Sequence, residues 1–293
     1  MSELYLARLR KAASFWKRQK TSAMEHRNYH THTYHCGHAT GSPSDYCMEA
    51  INQGVSVLGI TDHAPYADGK WNTKRMDISE LDTYFQEIRE AKEAFPQLIV
   101  HAGLETEYRP DLGNYVEETF LSTPNRCEYL ILAIHDFIAR DGEWTSSWYL
   151  HDSSKFMEYA EFAAKGMATG LYKILAHPDL FLIGRAGWDD TATAAARMIA
   201  EASVAYNVPL EINAAGLRRP LITDSNGRVH RPYPYPPFWE IIAEYPVSVV
   251  ASSDAHNPKD VWNNTSDAEA MGRYYGLNFI TEEELFPKTA EKS

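Results

Sequence analysis

The segment NYHTHTYHCGHA, residues 28–39, sets four histidines, His30, His32, His35 and His38, within nine positions. Imidazole titrates near neutrality and is the commonest metal-binding side chain, so this density points to metal binding. Alternate side chains of an extended chain share a face, so His30 and His32 can close on one ion, and Asp254 and His256 in SSDAH can do the same. Four further candidates stand at the ends of apolar runs: His63 in VSVLGITDH, Glu105 in LIVHAGLE, His135 in YLILAIH and His177 in YKILAH. A lone histidine at a strand end is more often a hydrogen-bonded core residue than a ligand. Strand composition favours apolar residues at such positions, however, so six runs ending in His, Glu or Asp are not independent accidents. His38, on the turn after the first run, completes the candidate set His30, His32, His38, His63, Glu105, His135, His177, Asp254 and His256. His35 is expected only to line the site, Cys36 to be a small turn residue and His101 to be packed within its run.

Imidazole and carboxylate with hardly any thiolate suit zinc, manganese or iron in an open, catalytic site and argue against a closed structural zinc site. Nine candidates exceed the needs of one ion, so two or three divalent metal ions are expected. Clustered divalent ions acidify a shared water and hold the attacking and departing oxygens of a phosphoryl group in line, which makes phosphoester hydrolysis the expected reaction. The planar fork of arginine pairs with two phosphate oxygens at once. Arg185 in HPDLFLIGR and Arg218 in EINAAGLRR are the expected phosphate contacts, with Arg219 beside them. Asn213 is expected to orient the substrate or a water, and Asp254 to serve also as an acid toward the leaving group.

These residues need elements that converge. Seven runs, RNYHTH, VSVLGITDH, LIVHAGLE, YLILAIH, YKILAH, VPLEIN and VSVVASSDAH, read as strands buried on both faces of a parallel sheet. Between them lie helix signals: Ser42-Pro43 with Asp45; Ser79 with Asp82, running to Phe95 before Pro96; Asp189 or Asp190 before an alanine-rich stretch; and helical spacing over 153–169 and 236–244. Strand alternating with helix predicts an α/β protein, one barrel whose strands deliver their C-terminal ends to a single face. The stretch 214–237 is too rich in proline and glycine for a helix and reads as a functional loop.

The formal charge of −12 disfavours nucleic acid and anionic lipid over most of the surface. No apolar run is long enough to span a bilayer. Three cysteines without framework spacing favour reduced thiols and a cytoplasmic setting. Residues 1–26, basic and amphipathic, read as a helical extension packed on the barrel domain of residues 27–293.

The segments HTHTYHCGHA, ITDHAPY, GLETEY, AIH, LAHPDL, EINAAGLRRP and SSDAH, in order over residues 27–262, resemble the polymerase-and-histidinol-phosphatase (PHP) superfamily, and most closely its histidinol-phosphate phosphatase branch. The resemblance implies a distorted seven-stranded (β/α) TIM-like barrel with a trinuclear metal centre. Its ligands fall on the nine residues named above, with Glu105 bridging two metals and Arg185 and Arg218 gripping phosphate. It also implies a small phosphorylated substrate, histidinol phosphate of histidine biosynthesis. Two alternatives stay open. A superfamily relative acting on nucleotides or oligonucleotide ends would use Arg218, Arg219, Arg228 and Arg231 near Tyr233 and Tyr235, whereas a non-catalytic metal-binding protein would close its sites. An amidohydrolase also opens with His-x-His, but the third and fourth runs offer no bridging lysine.

Overall fold

The computed structural model describes residues 26–123 and 126–287; the extension expected over 1–26 lies outside them except for His26. Strands β1 (His26–Asn28), β2 (Val55–Ile60), β3 (Ile99–Glu107) and β4 (Tyr129–Ala133) pair in parallel, neighbour to neighbour. Next, β5 (Asp136–Ile138) and β6 (Trp144–Ser146) form a separate antiparallel hairpin. Strands β7 (Ile174–Leu175) and β8 (Leu210–Asn213) rejoin the main sheet, and β9 (Ile222–Thr223) and β10 (Val229–His230) make a second hairpin. Then β11 (Ser248–Ser252) pairs with both β8 and β12 (Asn278–Phe279). A parallel bridge between Thr31 and Ala255 brings the chain after β1 against the chain after β11, and the eight-stranded sheet curls into a distorted TIM-like barrel.

The two-sided burial expected of the apolar runs follows from strand alternation. Tyr129, Ile131 and Ala133 of β4 join Tyr29, Val57, Ile174, Ala176, Val250 and Leu285 in one cluster inside the barrel. Leu130 and Leu132 face the other way, into the larger core under the helices. The resemblance implied seven strands; the eighth, β12, is two residues long and includes a polar asparagine, too little for a periodicity signal.

The helices are α1 (Pro43–Asn52), α2 (Leu81–Ala94), α3 (Phe156–Ala168), α4 (Asp190–Tyr206), α5 (Ala215–Arg218), α6 (Pro236–Ile242), α7 (Thr265–Tyr274) and α8 (Glu282–Leu285). Ser42 caps α1 in a reciprocal box with Asp45, and Asp189 caps α4. The expected start near Ser79 is corrected: Asp77 and Glu80 cap each other on a 3-10 turn, Ile78–Glu80, that runs into α2. The stretch 214–237 is not one irregular loop but the short helix α5, the β9–β10 hairpin and a turn into α6, each too short for its period to show. Cys36, Cys47 and Cys127 are buried free thiols. Among the described residues no helix is long and apolar enough to cross a membrane.

Inside the barrel Gly59 of β2 makes room for Tyr129, whose hydroxyl donates to Tyr29 O at 2.6 Å. A Cβ at Gly59 would lie 2.0 Å from that hydroxyl and 2.6 Å from Tyr29 O. Gly59→Ala should therefore cost about 1–3 kcal/mol of stability through overpacking. Urea unfolding should show the midpoint falling with the slope unchanged.

Candidate metal centre

All nine candidates come to the C-terminal ends of the strands, as a parallel barrel dictates. The histidine-rich turn is fastened by Asp62, which accepts from Thr33 N (2.8 Å), Thr33 Oγ1 (2.9 Å) and Cys36 N (3.1 Å). Gly37, at φ +75°, then swings the chain so that His38 returns toward His256. Two other ligand candidates sit in left-handed backbone, His177 at φ 29° and Asp254 at φ 48°. Such strain in residues other than glycine persists where the surroundings fix it, and it collects at functional sites.

Four arrangements define the centre. His30 Nε2 faces His32 Nε2 at 3.0 Å, with Asp254 Oδ1 3.2 Å from His32 Nε2. Glu105 lies in the middle: its Oε2 is 2.7 Å from His63 Nδ1 and 3.5 Å from both His30 Nε2 and His32 Nε2. Its Oε1 is 3.1 Å from His177 Nε2 and 3.6 Å from His135 Nε2. Finally, His38 Nε2 faces His256 Nε2 at 3.1 Å. Asp254, in left-handed backbone, also places Oδ1 3.5 Å from His256 Nδ1, so the Asp254–His256 pair expected from the sequence stays together while His256 Nε2 turns to His38.

The protonation pattern tests whether these groups fit a cation. A carbonyl oxygen can only accept, so His38 Nδ1 donates to Cys36 O (2.9 Å) and His256 Nδ1 donates to Asp254 O (3.2 Å). In the neutral rings the two facing Nε2 atoms are then both lone pairs, a repulsive contact that a shared positive ion relieves. His63 Nδ1 and Glu105 Oε2, 2.7 Å apart, form no hydrogen bond with each other or with another described group, which leaves both open to a shared ion. Burial, with His256 nearby, presses the His32 pKa down to about 3, so that ring stays neutral. Burial alone would raise the carboxyl of Glu105, but His63, His30 and His135 hold it well below the ordinary range; Asp254 is likewise held down against burial by His30 and His32. Two ionised carboxylates beside rings such as His32 that burial keeps neutral make a cation-seeking pocket. The donor set fits divalent metal ions: ligand atoms gather within 4.8 Å in the groups His30–His32–Glu105, His63–Glu105–His135 and His32–His63–His256.

Two carboxylates that sequence reasoning missed orient these rings. Glu211, fully buried on β8, accepts from His30 Nδ1 (2.9 Å), His177 N (3.1 Å) and Asn213 Nδ2 (2.8 Å). Glu107 on β3 accepts from His135 Nδ1 (2.7 Å) and His135 N (3.1 Å). Against the effect of burial, Glu107 and Glu105 raise the His135 pKa to about 9, and Glu211 foremost raises that of His30. A carboxylate behind a ligating ring fixes its tautomer and raises its basicity. The signal was available: Glu107 lies two residues after Glu105, and Glu211 two before Asn213, each on the same face of its strand.

The expected phosphate contacts are placed less simply. Arg218 donates to Asn263 O (2.9 Å), Ser253 O (2.6 Å) and Asp254 O (3.3 Å), so it braces the chain at Asp254. Arg185 is exposed at φ 69°, on the turn after His177, and its guanidinium makes no hydrogen bond among the described residues. The exposed Arg219 lies 4.7 Å from the Trp148 ring and donates from Nε to Tyr233 Oη at 3.1 Å. Trp148 stacks beside His135 and Tyr233 leans on His177, with ring centroids 6.2 Å apart in both cases. Arg219 thus borders the metal-seeking groups. Asn213 is buried and spends its amide on Glu211 and Asp254 and its carbonyl on Ala215 N, so it orders carboxylates and presents no free group to the mouth. His35 pairs with Glu87, and His101 lies between Glu128 and Glu282 against Phe286.

Fold and site together define a TIM-like barrel with a metal-seeking mouth of histidines and carboxylates. The PHP domain model matches residues 28–215, and the chain belongs to the PHP domain family. A curated relative from Deinococcus radiodurans, "Probable histidinol-phosphatase", is 29% identical over 260 residues, covering 86% of this chain and 94% of its own length. A histidinol phosphate phosphatase from Lactococcus lactis subsp. lactis, solved with zinc, L-histidinol and phosphate, aligns with a TM-score of 0.68 and 17% identity over 88% of this chain and 96% of its own. A structure of the histidinol phosphatase type from Listeria monocytogenes aligns with a TM-score of 0.67 and 19% identity over 82% and 99% of the two chains.

Glu211→Gln replaces an acceptor of three bonds by a group that must turn a donor toward one of them. Zinc affinity, read by competition with a chromophoric chelator, should fall about 10–100-fold.

Proposed function

We propose that the protein is a metal-dependent phosphomonoesterase acting on histidinol phosphate, with two or three zinc, manganese or iron ions held by His30, His32, His38, His63, Glu105, His135, His177, Asp254 and His256. The observation that carries this reading is the pair His38 Nε2 and His256 Nε2, 3.1 Å apart while each Nδ1 donates to a backbone carbonyl, beside the His30–His32 pair at 3.0 Å and the shared carboxylates Glu105 and Asp254. Divalent ions bound there supply Lewis acidity toward a phosphoryl oxygen and acidify water near neutrality. The protein's own residues do the rest. Glu105 turns one oxygen to His63 and the other to His177, which suits a carboxylate shared between two ions. Asp254, held ionised by His30 and His32, acts as a ligand and not as a proton donor. Arg219 offers a guanidinium beside the His135–His177 wall, Arg185 a second free one, and Arg218 keeps the Asp254 backbone in place.

The likeness to histidinol phosphatases supports the substrate, and the net charge of −12 favours a small phosphate bearing an amine over a polyanion. The protein then works in the cytoplasm on a small molecule, without nucleic acid or membrane.

Steady-state kinetics should show kcat/KM for histidinol phosphate far above that for nucleoside monophosphates or a 5′-phosphorylated oligonucleotide. Chelation should abolish turnover, and zinc or manganese should restore it. Preference for either nucleic-acid substrate overturns the proposed substrate, and a metal-replete protein without turnover on any phosphoester overturns the enzyme. Arg219→Ala should lower kcat/KM about 10–100-fold, the loss expected for a hydrogen bond to a charged group.

A further inference from the structure

The ligand atoms of His63, Glu105 and His135 lie within 4.8 Å of one another. Behind all three sits one side chain that the reaction does not use. Arg75, from the loop between β2 and α2, is buried and donates through Nη1 to Ala64 O (3.1 Å) and through Nη2 to Glu107 Oε1 (2.8 Å). Ala64 directly follows His63, and its N–H donates to Glu105 O at 2.8 Å. Glu107 Oε1 also takes the His135 Nδ1 proton, at 2.7 Å, which leaves Nε2 of that ring facing Glu105. Tyr66 and Trp71, each with its ring centroid 5.1 Å from the guanidinium carbon, hold the fork in place, and Glu107 N donates to Tyr66 Oη at 2.8 Å.

The other groups have different anchors. His30 leans on Glu211, while His38 and His256 donate to backbone carbonyls. We infer that Arg75 is a positioning residue for the His63–Glu105–His135 metal subsite, and sets the affinity of that subsite separately from the others. The inference rests on the metal-centre reading proposed above.

The physical reason is geometric. Only a planar fork reaches Ala64 O and Glu107 at once, so one side chain fixes the spacing between the end of β2 and the end of β3, and Glu107 in turn holds His135 after β4. Its charge also compensates Glu107, which otherwise would be a second buried anion next to Glu105. Arg75→Lys keeps the charge and loses the fork. Arg75→Met keeps an apolar stem beside Tyr66 and loses both bonds.

The test is a zinc-binding isotherm of the full chain, measured as metal content at buffered free zinc. For Arg75→Met one metal equivalent should require about 10–100-fold more free zinc, while the remaining equivalents bind as in the parent. Arg75→Lys should fall between, and Glu107→Gln should reproduce the selective loss, which decides the matter if Arg75→Met does not fold. An unchanged isotherm with only a lower melting temperature overturns the proposal, as does uniform weakening of every equivalent. A parent that binds no zinc overturns the metal-centre reading itself, and this inference with it, whereas a zinc-replete parent with unaltered variants overturns this inference alone.

Discussion

Everything at the mouth of the barrel depends on one electrostatic constraint: imidazole nitrogens and carboxylate oxygens converge around a buried centre at His30, His32 and Glu105. His30, His32 and Glu105 are essentially inaccessible, and an uncompensated buried charge or facing pair of lone pairs is costly. The fold meets that cost from outside the cluster. Glu211, Glu107 and the carbonyls of Cys36 and Asp254 each accept from one ring nitrogen, which aims the opposite nitrogen into the cluster. The result is a convergence of nitrogens and carboxylate oxygens that suits a cation.

That arrangement explains why ligands and strain share the same end of the sheet. His177 and Asp254 take left-handed backbone immediately after their strands, where the ladder has ended and no longer dictates conformation. At Asp254 the turn keeps the carboxylate between two rings, with Oδ1 3.2 Å from His32 Nε2 and 3.5 Å from His256 Nδ1. It therefore lets one short segment serve two neighbouring groups, His30–His32 on one side and His38 on the other.

How much of this was legible in the sequence follows from the range of the interactions. The strands announce themselves through continuous apolar runs, and their ends carry His63, Glu105, His135 and His177 in plain view. The convergence of all nine candidates required only that the sheet be parallel and closed. Glu107 and Glu211 were overlooked because a buried acid inside a strand has no local signature separating it from a ligand; its role is fixed by a ring on a neighbouring strand or beyond. Arg218 and Arg219 are adjacent, and sequence cannot say which faces the mouth. The turn of α5 decides it, sending Arg218 to the carbonyls of the 253–263 segment and Arg219 to Trp148 and Tyr233. The same limit hid the β9–β10 hairpin and β12, strands of two residues that are themselves too short to leave a period.

The opposite end of the barrel shows what the chain does where no cation is wanted. His101, at the start of β3, also stands between two carboxylates, Glu128 Oε2 at 2.8 Å and Glu282 Oε1 at 3.2 Å, but both of its nitrogens have partners and its ring stacks on Phe286 at 3.8 Å. Leu285, one residue before Phe286, enters the inner cluster with Tyr29 and Tyr129 and closes the floor. The two ends thus use the same residue types to opposite effect. His101 is a structural tie between two separate carboxylates, whereas at the mouth the rings turn nitrogens toward one another and toward the shared carboxylates Glu105 and Asp254. Convergence of several rings on the same carboxylates, and not residue identity or burial, marks out the histidines of the mouth.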